Sequence, residues 1–285
     1  MPTTRPKPPT VRLRRLAAEL SKLRAGAALS REDVEEQTGI NEATLYRIET
    51  ARARPQKRTL VALLDLYGIT DPQRSDMLAL ASGAEHQGWM QPYHSQLPEE
   101  YATYIAFEAE ARSVRNYESL YIPGLLQTED YARAVITGTL PMASQTQVEQ
   151  RVQARMERQE LLRGDDPLEM WAIVDEAATR RAVGGPAIMR AQIKHIIGAA
   201  QAPNVTFQVI SYDKGAHPGM SGSFVHMAFD DPLDPELVYI DTLAGDLFLE
   251  ADADIRRYRT MFQHLQAIAL SPRETSAELA KAVKS

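Results

Sequence analysis

The sequence predicts a chain that is mainly α plus α/β: a domain of five short helices, then an α+β domain in which helices cover a mixed sheet. Three observations predict it. From Val11 to Ala81 apolar residues recur at helical spacing in short runs that Gly and Pro interrupt. From Leu168 onward, β-branched and aromatic runs alternate with helical ones between Gly, Pro and Asp clusters, the pattern of a sheet covered by helices. Charge divides the same way: residues 1–81 carry 14 Lys and Arg against 10 Asp and Glu, and the remainder carries 18 against 28.

Taken in order, residues 1–10 are rich in Pro and basic side chains, which predicts an extended arm with Arg5 and Lys7 free to reach a minor groove. Leu13, Leu16, Ala17, Leu20 and Leu23 form the apolar stripe of the first helix, leaving Arg12, Arg14 and Arg15 to solvent or to phosphate. Ser30 is placed to cap the second helix with Asp33 at its third position, Val34 begins the apolar face, and Gly39 supplies the left-handed residue at its end. Ile40 plugs the turn and Asn41 caps a third helix whose Leu45 and Ile48 face the core. That spacing turns Asn41, Glu42, Ala43, Thr44 and Arg47 outward. Two helices joined by a short turn, the second offering polar side chains, form a helix-turn-helix sized for the major groove. The loop that follows holds Arg52, Arg54, Lys57 and Arg58 within seven residues, and Pro55 stops the helix. With Ser30 and Arg31 at the start of the second helix, these are the candidate phosphate contacts. Leu60, Leu63, Leu64 and Tyr67 make a fourth helix ended by Gly68, and Asp71 caps a fifth through Leu80.

Residues 82–98 read as a linker in which Trp89, Met90 and Tyr93 pack on a neighbour. The second domain, 99–285, opens with a helix from Glu99 to about Tyr117. Pro123-Gly124 then makes a turn, Thr128 caps a helix closed by Gly138, and Thr146 with Glu149 caps a charged helix ending at Gly164. Strands are expected at Leu168–Val174, Val205–Tyr212, Gly222–Phe229, Leu237–Asp241 and Asp246–Glu250. Asp175-Glu176 begins a short helix, Pro186 opens one of about fifteen residues, Asp252 caps another, and Ser271 with Glu274 caps the last.

Composition narrows the class. With 285 residues, 44% of them hydrophobic, the chain has the length and apolar content for two packed cores. The absence of cysteine excludes disulfides, thiolate zinc sites and a cysteine nucleophile. No apolar run spans a bilayer and no apolar leader precedes the first helix, so a cytoplasmic, nucleoid-associated location without membrane contact is expected.

The motifs SxxxVxxxTGIxxxTLxRIE, TARARPQ and LxxLLDLYGI make residues 11–81 resemble the Xre (lambda and Cro-like) repressor family. The resemblance implies a lambda-repressor-like fold and puts Asn41, Glu42, Ala43 and Arg47 at base-facing positions. Glu35 departs from the family's usual small Ala, which implies a slightly opened hairpin or a Glu35 turned to the rim. Ala51 departs from a frequent Gly. Farther on, IPGLLQTEDYARAV, WAIVDEAATRRAVGG, MRAQI, PNVTFQVI, GAHPGMSGSF and VYID resemble the C-terminal domain of actinobacterial Xre-type regulators described as antitoxin-like. That implies transcriptional control and a small partner protein encoded by a neighbouring gene.

Asp175, Glu176, His217 and Asp241 are the only convergent candidates for metal or acid–base chemistry, and none has diagnostic spacing. No cofactor, metal or catalytic residue is therefore expected. Ile122, Leu125 and Leu126, with His217 in GAHPGMSGS, are candidate partner or ligand contacts, and Val148, Val152, Met156 and Leu162 a candidate oligomer seam. The expectation is a regulator that binds double-stranded operator DNA as a homodimer, not an enzyme. Its rivals are a small-molecule-responsive regulator with an effector pocket in residues 99–285 and an enzyme fused to a DNA-binding domain.

Overall fold

The computed structural model describes residues 10–83, 97–231, 234–242 and 245–284. Arg5, Lys7, Trp89, Met90 and Tyr93 lie outside these. Contacts divide the chain into two units, Met1–Gln91 with Asp231–Pro235, and Pro92–Asp230 with Glu236–Ser285.

In the first unit Thr10 accepts the Leu13 amide at 3.2 Å and starts α1 (Val11–Gly26). A capping box opens α2 (Arg31–Thr38): Ser30 Oγ accepts the Asp33 amide at 3.0 Å, and the Asp33 carboxylate accepts the Ser30 amide at 2.7 Å. Gly39 ends that helix at φ 71°, a conformation in which a Cβ would be strained. Then come α3 (Glu42–Glu49), α4 (Lys57–Leu66) and α5 (Gln73–Gly83). Leu16 and Leu20 of α1 meet Val34 of α2, Leu45 and Ile48 of α3, Leu60, Leu63 and Leu64 of α4 and Met77 of α5 in one buried cluster. Each such side chain contributes about 1.5–3 kcal/mol by leaving water, and this holds helices too short to persist alone. Ile40 packs at the rim of the cluster, half-buried. The fifth helix starts after Asp71, whose carboxylate accepts the Ser75 hydroxyl at 2.7 Å, and runs past the expected end.

The second unit begins with α6 (Glu99–Glu110), which is shorter than the sequence suggested. Ser113–Glu118 is instead β1, a central strand. Its polar Arg115 and Asn116 hid it; Asn116 is buried, and its amide donates to the Phe224 carbonyl at 3.2 Å. Two helices follow, α7 (Glu129–Thr139), capped by Thr128, and α8 (Gln145–Arg158). The box that starts α8 is Ser144 with Gln147, not Thr146 with Glu149, and the α-helix ends at Arg158. Next come β2 (Glu169–Asp175), α9 (Glu176–Arg180), α10 (Pro186–Ala199) and β3 (Val205–Ile210). The chain closes with β4 (Phe224–Ala228), β5 (Leu237–Ile240), β6 (Leu247–Leu249), α11 (Asp252–Ile268) and α12 (Pro272–Lys284).

These strands make one mixed sheet in the order β3-β2-β1-β4-β5-β6, parallel from β3 to β1 and antiparallel from β1 to β6. Tyr117, Ile173, Ile210, Phe224 and Val238 pack one face onto Ile255, Phe262 and Leu265 of α11. On the other face α6 meets β5 and β6 through Tyr104 with Tyr239 and Phe107 with Phe248. Arg158 of α8 clamps Glu108 of α6 through two hydrogen bonds of 2.6 and 2.8 Å, both side chains buried. Among the described residues no helix is long and apolar enough to cross a membrane.

Candidate nucleic-acid interface

The turn between α2 and α3 leaves one helix of the first unit standing outward. Leu45 and Ile48 anchor α3 in the core, and the 3.6-residue period then exposes Asn41, Glu42, Ala43, Thr44, Tyr46 and Arg47. Glu35 does turn to the rim: its carboxylate accepts the Asn41 side-chain amide at 3.0 Å and the Glu42 backbone amide at 2.7 Å. Asn41 also accepts the Ala43 amide at 3.0 Å. Both ends of the Asn41 side chain are thus committed to starting α3, so its part is to aim the helix. Glu42, Ala43, Thr44 and Arg47 remain as the side chains turned to solvent.

A second feature was not legible in the residue pattern. Glu49, its side chain 1% exposed, accepts from Arg24 Nε at 2.6 Å and from Arg31 Nε at 2.8 Å. Its hydrogen bond raises the Arg24 pKa against the lowering effect of burial. Arg31 in turn lies 5.2 Å from the Tyr46 ring centroid and Arg52 lies 5.7 Å from it. Tyr46, 41% exposed, therefore has two guanidinium groups against its ring on the outer side of α3. The i, i+3 spacing of Tyr46 and Glu49 was the available signal, obscured because Arg31 and Arg24 come from other helices.

The basic loop runs outward as expected. Arg52, Arg54, Lys57 and Arg58 are exposed. Arg54 also donates to the Ala81 carbonyl. Ala51, at the departure from Gly, takes φ 54°, so the loop keeps the left-handed turn at some cost in strain. Lys57 and Arg58 stand at the start of α4, where Gln56 gives no side-chain cap, an end that by its dipole favours negative charge. Two candidate phosphate residues have other partners: Ser30 is engaged in its capping box, and Arg31 is tied to Glu49. Arg14 is buried, and Arg15 pairs with Asp231 and, at 3.3 Å, Asp234; neither is solvated as the sequence suggested, and only Arg12 is exposed.

In the second unit the candidate docking edge is interior. Ile122, Leu125 and Leu126 are buried, and Gln127 locks their loop by donating to the Ile122 carbonyl at 2.6 Å. Val148 and Val152 pack with Ile136 of α7, so they form an internal seam. The His217 side chain is buried, its Nε2 3.3 Å from Asp175 Oδ2. Asp175 also caps α9 through the Ala177 amide at 2.8 Å, and Glu176 accepts the Tyr212 amide at 2.8 Å. Among the described residues no three His, Asp or Glu side chains group to hold a metal ion.

Residues 101–281 match the family described as a domain of unknown function (DUF5753). The chain belongs to the DUF5753 family. In this DUF5753 chain the first unit carries a second match, over residues 15–77, to the family described as a helix-turn-helix domain. That match covers α2, α3 and the basic loop, and a helix-turn-helix is a DNA-binding module. No curated protein and no solved structure matches the chain.

Proposed function

We propose that the chain is a sequence-specific transcriptional regulator of Xre type that binds operator DNA as a homodimer. The observation that carries this reading is the outward face of α3, where Glu42, Ala43, Thr44 and Arg47 stand exposed beside a basic loop. Arg47 has the donor geometry for a bidentate contact to guanine O6 and N7 in the major groove. Arg52, Arg54, Lys57 and Arg58 neutralise phosphates on either side and set the register. Tyr46, with Arg31 and Arg52 against its ring, adds an aromatic face for a thymine methyl or a sugar. One such helix covers only a few base pairs, and two copies a helical turn apart supply the missing specificity.

In this reading the acidic second unit avoids DNA and serves association, with its own copy and with a small antitoxin-system partner encoded nearby. It assigns no reaction to Asp175, Glu176, His217 or Asp241, no cofactor, and a site of action at the nucleoid. Selection from a pool of randomised duplexes tests it. The expected product is an inverted repeat with half-site centres about 10 base pairs apart, bound by two chains in sedimentation. A pool with no enriched sequence would sink the reading.

A further inference from the structure

The pairing registers bring four strand ends together at one end of the sheet. Glu118 stands opposite Val174, Asp175 opposite Ile210, and Tyr117 opposite Phe224. The ends of β1, β2 and β3 and the beginning of β4 therefore lie side by side. The chain leaving β3 passes across the ends of β2 and β1 to enter β4, so the connection 211–223 lies over this end of the sheet.

Two side chains there are buried with a polar atom unused. Tyr117 is 0% exposed and its hydroxyl has no hydrogen-bond partner among the described residues. His217, with 4% of its side chain exposed, has none for Nδ1. Their rings meet edge to face with centroids 6.2 Å apart. Such atoms cost stability unless something fills their bonding capacity. Asp175 Oδ2, 3.3 Å from His217 Nε2, adds a carboxylate, and two acids act on the Tyr117 hydroxyl. After burial itself, the Asp175 and Glu118 charges push its pKa further up. With Nε2–H directed at Asp175, Nδ1 is an acceptor, so the three groups offer acceptors and negative charge. Over them passes the segment Lys214–Ser223, where a Cβ on Gly219 would lie 2.7 Å from the Tyr117 hydroxyl. Gly215 and Gly222, at φ 65° and 130°, bound that segment.

We propose that Tyr117, Asp175 and His217 form a binding site for a small primary ammonium compound, reached when the segment Lys214–Ser223 lifts. The ammonium group donates to His217 Nδ1 and to the Tyr117 hydroxyl, while Asp175, on the ring's other nitrogen, holds the tautomer that keeps Nδ1 an acceptor and adds negative charge. The site stands independently of the DNA-binding reading, and the failure of either leaves the other intact.

Imidazole nitrogen spectra of the full chain, with His217 assigned from a His217→Gln variant, provide the test. Ethanolamine and putrescine serve as probes, with tetramethylammonium at equal ionic strength as the control that carries charge but no N–H donor. The expected result is a saturable shift of the His217 signals by a primary amine with a Kd in the millimolar range or tighter. In Tyr117→Phe the affinity should fall by roughly fivefold or more while Tm stays level or rises, because the variant removes an unsatisfied buried hydroxyl. Asp175→Asn, which retains a good helix cap, should bind more weakly still. The site is overturned if neither amine gives a saturable shift, if tetramethylammonium acts equally, or if Tyr117→Phe binds as the wild type does. The last two outcomes would mean that simple charge attraction, or a buried water, accounts for the unused atoms.

Discussion

Glu49→Gln is expected to destabilise the helical unit by about 3 kcal/mol. The carboxylate is 1% exposed and accepts three hydrogen bonds, from Arg24 Nε at 2.6 Å, Arg24 Nη2 at 3.1 Å and Arg31 Nε at 2.8 Å. Each charge-assisted bond contributes about 1.5–3 kcal/mol, and breaking a buried pair from one side costs about 3–5 kcal/mol. Arg24 and Arg31 are 15% and 31% exposed, so both recover some hydration and the cost falls to the lower end of that range. Glutamine keeps one acceptor but turns an amide N–H toward two guanidinium groups. Native-state hydrogen exchange on the full chain reads the opening of this unit alone, at the Leu16, Leu45 and Leu63 amides. Protection there should fall roughly a hundredfold, the factor that 3 kcal/mol implies. A change below about threefold would show that the carboxylate is dispensable and refute the argument that it organises α1, α2 and α3.

Other outcomes follow from the same geometry. Arg47→Ala should cost about 1–3 kcal/mol of operator affinity and relax specificity at one base pair, as measured by binding to single-position variants of the selected duplex. Lys57→Ala with Arg58→Ala should weaken binding to all sequences alike and reduce the slope of log K against log salt by about two units. Burial, with help from Asp241 and against Ser223 and Asn116, pushes the Glu118 carboxyl up to about 7. The native state then holds more protons than the unfolded chain between about pH 4.3 and 7, so stability falls as pH rises through that window and is level above it. Glu118→Gln should remove a loss on the order of 3–4 kcal/mol, seen as a higher Tm than the wild type at pH 8 and little difference at pH 4. Ala28, exposed at φ 56°, is strained, and Ala28→Gly should raise stability by about 0.5–1 kcal/mol in urea unfolding.

The first unit was legible because its instructions are local. A Ser cap with Asp at the third position, a Gly at φ > 0 and Leu45 with Ile48 at one-turn spacing specify α2, the turn and α3 within twenty residues. The outward face followed by subtraction. What sequence could not give was the fate of long polar side chains, which is decided by partners far along the chain. Arg14 is drawn into the interior, and Arg31 is tied to a glutamate eighteen residues on.

In the second unit the strands with apolar runs were recognised, whereas β1 was not. SVRNYE buries a valine, an asparagine and a tyrosine without clean alternation, and its place in the middle of the sheet is set by β2 and β4. Ile122, Leu125 and Leu126 illustrate the same limit. An apolar loop reads equally as core or as docking edge until its neighbours are known. His217 and Asp175 lie 42 residues apart and were named together without a diagnostic spacing; the loop that follows β3 brings the imidazole to 3.3 Å from the carboxylate.

Guanine methylation interference on the selected duplex tests the central claim, that α3 reads the major groove through Arg47, most directly. Methyl groups at guanine N7 fill the position to which a bidentate arginine donates, while adenine N3 methylation reports the minor groove. The account predicts that N7 methylation of one guanine per half-site abolishes binding by the wild type and has little effect on the already weakened Arg47→Ala variant. Interference confined to adenine N3, or N7 interference equal in both proteins, would contradict it.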